Sequence, residues 1–194
     1  TKDTITHMFD RIKKSGEDDE IDYISFEDSN TKGLTGAQNG QSNDKNDTWG
    51  IYAYNKGVHF EESDSEVEQL RGGSHGLGKI ASNAASEIHL MYFANCDAQG
   101  NKHLGGTVQL IEHKYKDHYY RSTGYFTDIS KSENGHIKFY PFENKFSSVF
   151  SKDTRGLKII IPFLREQFND EKALIKTICD NFFVAIDQER LIVV

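Results

Sequence analysis

Cysteine is scarce in this chain: Cys96 and Cys179 stand far apart, outside any CxxC or Cys/His ligand spacing. Neither a disulfide framework nor a zinc site is expected, which fits a reducing cytoplasm. Long hydrophobic runs are also missing. Runs such as Ile159 to Leu164 and Leu191 to Val194 are far too short to cross a bilayer, and no charged-then-apolar leader opens the sequence. We therefore expect a soluble, cytoplasmic protein with no membrane partner. Basic residues are outnumbered, 23 Lys and Arg against 30 Asp and Glu, for a net charge of -7. That balance repels phosphate backbones at long range and argues against broad nucleic-acid binding, so any DNA association is expected only through regions outside this chain. One segment dissents, His113 to Arg121, where lysines and histidines interleave with Tyr115, Tyr119 and Tyr120. A single-strand binding surface looks like this, but so does a solvated antiparallel strand, which is the reading we favour.

With 36% apolar and 12% aromatic residues among 194, the chain can bury roughly 70% of its unfolded surface as one domain. Ile5, Met8, Phe9 and Ile12 share a helical face over residues 4 to 14, and Gly16 with the acidic run after it stops that helix. Ile21 to Asp28 reads as a strand with Ile24 and Phe26 on one face and Asp28 at its inward end, where a buried carboxylate needs a donor. Residues 30 to 46 are almost wholly Gly, Asn, Asp, Ser and Gln, the composition of a mobile loop. Together with the acidic stretch Glu61 to Glu68, residues 29 to 72 read as a long lid or as plain disorder.

Strands are predicted over 88 to 93, 104 to 111, 120 to 126, 136 to 140, 157 to 163 and 191 to 194, with hairpin turns at 97 to 101 and 131 to 135. A helix over 171 to 187, capped by Asn169 or Asp170, carries Leu174, Ile178, Phe182, Ala185 and Ile186 as its core stripe. Grouped strands with few helices predict an α+β, two-layer α/β sandwich: a mixed, mostly antiparallel sheet with helices on one face.

The richest stretch is Gly72-Gly73-Ser74-His75-Gly76-Leu77-Gly78-Lys79, which runs straight into a segment whose Leu77, Ile80, Ala81, Ala84 and Ala85 have helical spacing. A glycine turn feeding a helix N-terminus, with one ammonium beside it, is an anion-binding device suited to a polyphosphate. A helix cap and tight turn would explain one of these glycines but not four. Gly73-x4-Gly78-Lys79 nearly makes a phosphate loop, but Ile80 stands where a hydroxyl must reach magnesium, and no buried strand precedes it. Gly76-x-Gly78-x-x-Ala81 fails as a dinucleotide fingerprint for the same want of a strand.

Three boxes in order, Asp28-Ser29-Asn30-Thr31-Lys32-Gly33-Leu34, Gly73 to Lys79, and Thr154-Arg155-Gly156-Leu157-Lys158-Ile159, resemble the glycine boxes of GHKL ATPases, the superfamily of gyrase, MutL, sensor histidine kinases and MORC proteins. The chain is most similar to bacterial MORC-like ATPases, over most of residues 20 to 194. The resemblance implies a Bergerat ATP-binding fold with ATP and Mg2+ as cofactors. It implies that Asp28 accepts the adenine amino group and that Asn30 and Gly33 shape the turn under the base. Gly73, Ser74, His75, Gly76, Leu77, Gly78 and Lys79 would wrap the triphosphate, with Lys79 as clamp, and Gly156 would mark the third box.

The chain departs from the family pattern in four places. Asn30 replaces a glycine of the first box, Gly33 comes one residue late, Leu157 stands where several relatives have a threonine, and residues 1 to 20 hold no E-x-x-x-N pattern for the catalytic glutamate and magnesium-binding asparagine. No catalytic or metal-binding residue is therefore assigned, and the chain is expected to be a single domain truncated at both ends. The implied function is nucleotide binding with lid closure coupled to homodimerisation or to outside domains in an ATP hydrolase; alone, the chain should bind nucleotide weakly without turnover. The alternative is a non-catalytic nucleotide-sensing or protein-interaction module of the same fold.

Overall fold

A computed structural model describes residues 2–15, 20–42, 44–55, 77–132, 134–143, 145–146 and 148–194. Helix α1 (Lys2–Lys14) is followed by β1 (Tyr23–Glu27) and α2 (Thr48–Tyr54). Helix α3 (Leu77–Ala85) then leads to β2 (Leu90–Cys96) and β3 (Lys102–Gln109). A hairpin of β4 (His113–Tyr115) and β5 (His118–Tyr120) precedes β6 (Thr123–Phe126), β7 (Phe142–Glu143) and β8 (Gly156–Pro162), and α4 (Glu171–Asp187) comes last. The fold is α+β. Its six-stranded sheet runs in the order β1-β8-β2-β3-β6, with β7 also on β3, and every described pairing is antiparallel, so the parallel component of the expected mixed sheet is missing there.

Period-two alternation sorts the strands into two faces. Met91, Phe93 and Ile161 enter one core with Ala37, Trp49, Ala53 and Tyr54, and Ile159, Leu157 and Ala85 pack against it, so α2 and α3 cover this face. Trp49 lies fully buried with its ring centroid 5.3 Å from that of Phe93. On the other face, Ala94, Leu104 and Ile160 meet Tyr92, Phe126, Phe142 and Val149.

The described part of residues 30 to 46 is not the mobile loop its composition suggested. Its polar groups are satisfied internally: Trp49 N–H donates to Thr35 O at 2.9 Å, Gln41 N–H to Phe139 O at 2.7 Å, and Asn39 Nδ2 to both Asp47 oxygens at 3.0 and 3.1 Å. A few anchors, Ala37 and Trp49 above all, then suffice to hold the segment on the sheet. Residues 56 to 72 of the expected lid lie outside the described residues.

Three strand assignments change. The segment 120–126 divides because the chain leaves the β4–β5 hairpin at Arg121 and enters the main sheet only at Thr123. Of residues 136 to 140, only Tyr140 pairs, as an isolated bridge to Asp128. Residues 191 to 194 form no strand, because Arg190 and Leu191 turn back to donate to Ala185 O at the end of α4. Asp170 caps α4 by accepting from Ala173 N–H at 3.0 Å. Its stripe is shallower than expected: Leu174, Ile178, Ala185 and Ile186 are half-buried and Phe182 is exposed. The basic-aromatic segment is the solvated hairpin anticipated, with Lys114 over Tyr119 and His113 stacked on Tyr120. No described helix is long and apolar enough to cross a membrane.

Candidate functional site

Asp28 lies one residue past β1 and continues its register, since Glu27 pairs with Lys158 and Asp28 N–H donates to Leu157 O at 2.9 Å. Its carboxylate therefore stands on the face that carries Ile24, Phe26, Leu157 and Ile159, as the alternation required. It is not buried as expected, because β1 is an edge strand and leaves this end open. The donors are internal. Oδ1 accepts from Leu157 N–H at 2.6 Å and from the Thr31 hydroxyl at 3.0 Å, while Oδ2 has no hydrogen bond among the described residues. The acid is thus anchored through one oxygen and presents the other.

The turn after it is folded back on the sheet. Asn30 adopts the left-handed conformation, φ 61°, which an Asn side chain tolerates at low cost. Gly33, at φ 66°, passes so close to β2 that an added Cβ would stand 2.8 Å from Cys96 O and 2.9 Å from Asn95 Oδ1. Asn95 clamps the backbone of the next residue: Leu34 N–H donates to Oδ1 at 2.6 Å and Nδ2 donates to Leu34 O at 3.0 Å. Behind it sits His103, whose ring is 5.9 Å from Trp49 and whose pKa burial pushes below the usual imidazole value.

The third box closes the other side. Gly156, at φ 141°, leaves room for the acid, since a Cβ there would fall 2.1 Å from Asp28 Oδ1 and 2.8 Å from its carbonyl oxygen. Arg155 Nε donates to Lys32 O at 3.3 Å. The Thr154 hydroxyl accepts from the Lys152 ammonium at 2.6 Å. That ammonium is fully buried and 2.9 Å from Glu27, so the charge is paired where β1 enters the turn.

Asp28, Asn30, Gly33 and Gly156 are thereby brought into one cluster. Leu77, Gly78 and Lys79 form a second group, the opening turn of α3. There the Lys79 ammonium donates to the carbonyls of Tyr52 and, at 3.1 Å, Ala53, and lies 5.4 Å from the Tyr52 ring centroid. It serves as a cationic cap on the C-terminal end of α2. Burial pushes the Tyr52 hydroxyl up to about 12, so that ring stays neutral beneath the ammonium. Gly73, Ser74, His75 and Gly76 lie outside the described residues. Among those that are described, no group of three His, Cys, Asp or Glu is arranged to hold a metal ion.

Sequence reasoning missed Asn95, Thr31 and Lys152. Asn95 did carry a signal, as the one amide among the inward-alternating positions of an apolar strand. Thr31, three residues from Asp28, carried a local signal as a hydroxyl in reach of that acid, whereas Lys152 carried none, because the fold alone brings Glu27 near it. No family model, curated protein or solved structure matches this chain.

Proposed function

We propose that this chain is an ATP-binding domain of the GHKL type, with nucleotide-driven closure coupled to dimerisation or to further domains of an ATP hydrolase. The observation that carries the reading is the Asp28 carboxylate, anchored through Oδ1 between Leu157 and Thr31 while Oδ2 stays open. An open acceptor fixed on a sheet edge, between two turns whose glycines admit close approach, suits the exocyclic amino group of a purine. Gly33 and Gly156 flank the base, and the α3 N-terminus opening at Leu77 supplies amides for the phosphates. Magnesium arrives with the triphosphate. To clamp phosphate, Lys79 must release the carbonyls of Tyr52 and Ala53, so binding includes a rearrangement at the end of α2. That same capping contact favours the second reading, a non-catalytic nucleotide-sensing or interaction module in which Lys79 is structural.

Calorimetry with Mg-ATP, Mg-GTP and adenosine tests the site. Asp28→Asn keeps an oxygen for the Leu157 amide but can turn an NH2 toward the ligand, so it should abolish ATP binding while the protein stays folded. Lys79→Ala should narrow the difference between ATP and adenosine if the lysine clamps phosphate. Unchanged ATP affinity in Asp28→Asn refutes the site; unchanged affinity in Lys79→Ala alone selects the module.

A further inference from the structure

We infer that α4 pairs two copies of this chain antiparallel to one another, through an exposed apolar stripe centred on Cys179. Ile175, Cys179, Phe182 and Phe183 follow one another at helical i, i+4, i+7 and i+8 spacing and so share a face. That face is open: Ile175 is 53%, Phe182 51% and Phe183 65% exposed. Leu174, Ile178 and Ala185 are half-buried on the adjoining side of the helix, and Ile186 is half-buried within the stripe. Two phenylalanines and an isoleucine side by side on a water-facing helix mark an interaction surface.

Charge identifies the occupant. Along one flank of the stripe run Lys172 and Lys176 in the first half of the helix, then Asp180 and Asp187 in the second. Lys176 and Asp180 pair with each other along the helix, whereas Lys172 and Asp187 have no ion-pair partner among the described residues. A two-fold axis perpendicular to two antiparallel helices brings each flank against the same flank reversed. With the axis between Cys179 and Asp180, Lys172 of one copy faces the partner's Asp187, both phenylalanine pairs close over the seam, and the interface is complete with two subunits. A parallel pair would set this flank against the opposite one and leave both end charges unmatched. The inference does not rest on the nucleotide reading.

Sedimentation equilibrium of the whole chain under reducing conditions should show a dimer at tens of micromolar, about the range expected of a seam this short. Phe182→Asp, at an exposed position whose folding circular dichroism can verify, should weaken it by about 100-fold. Lys172→Glu should weaken it as well, and adding Asp187→Lys should restore it. Mild oxidation should link the dimer through Cys179, since Cys96 is buried, and Cys179→Ser should prevent that link. In the Cys179→Ser background, Ile175→Cys should not link to itself, because the two copies of residue 175 lie about 13.5 Å apart along the helix direction at 1.5 Å rise per residue. A monomer at these concentrations, or a dimer indifferent to Phe182→Asp, overturns the interface. Self-linking at residue 175, or no restoration by the charge swap, overturns the antiparallel arrangement.

Discussion

Replacing Asn95 by alanine should loosen the first glycine turn without touching any residue of the proposed nucleotide contact. The amide is fully buried and makes two hydrogen bonds to the backbone of one residue, accepting at 2.6 Å from Leu34 N–H and donating at 3.0 Å to Leu34 O. Alanine removes both partners at once. A polar group left without its partner costs about 1–3 kcal/mol, and because Leu34 is half-buried and partly reached by water the lower end applies to each, for about 2–3 kcal/mol in all. At about 2–4 °C per kcal/mol for a chain of this size, Tm should fall by about 5–10 °C. Thermal unfolding followed by circular dichroism measures the loss, and amide exchange at Leu34 localises it. Asn95→Asp is the informative companion: it retains an acceptor for the amide but sets a second oxygen against Leu34 O, so it should rescue nothing. A Tm within about 2 °C of the parent, with Leu34 exchange unchanged, would show that Gly33 is held by its own backbone preference rather than by β2.

Gly156→Ala places a methyl 2.1 Å from Asp28 Oδ1 at a backbone angle of 141°, so the carboxylate must swing off Leu157 N–H. Urea unfolding should register a loss of about 2–4 kcal/mol, and an unmoved midpoint would mean that the acid does not sit against this box. Acid stability offers a separate check. Hydrogen bonds from the Ser130 hydroxyl and amide, then the Lys145 ammonium, lower the Asp128 pKa from 3.8 to about 2. A carboxylate depressed in the folded state contributes stability that is complete above about pH 4 and is lost as pH falls toward 2. Asp128→Asn should therefore lower stability at neutral pH and flatten the acid limb between those values; an unaltered limb assigns acid sensitivity to other groups.

Much of the fold was legible because it is written in local periodicity. The amphipathic spacing of Ile5 to Ile12, the alternation of Leu157, Ile159 and Ile161, and the Asp170 cap each depend on residues a few positions apart, and the elements appear where that spacing put them. The polar segment 30–46 was misread because composition counts polar groups without revealing their partners, and here the partners are Asp47, Phe139 and the chain's own backbone. Asn30 does take the left-handed conformation that asparagine was expected to tolerate, because that tolerance belongs to the residue itself. The partners of Asn95 and Lys152 across the fold, Leu34 and Glu27, leave no trace in spacing, whereas Thr31 bonds Asp28 only three residues away and was within reach of a local reading.

The sequence by itself determined most of the helices and strands, though not the helix Thr48–Tyr54 or the ends of several strands, and it determined that Asp28 shares a face with Phe26, because side-chain period and backbone geometry are local properties. Only the tertiary structure decided that β1 is an edge strand, that Asp28 is consequently open rather than sunken, and that Leu157 and Thr31 are its donors. Strand order and the pairing of distant polar groups follow from how whole layers pack, and that outcome is settled by the sum of many contacts rather than by any one stretch of chain.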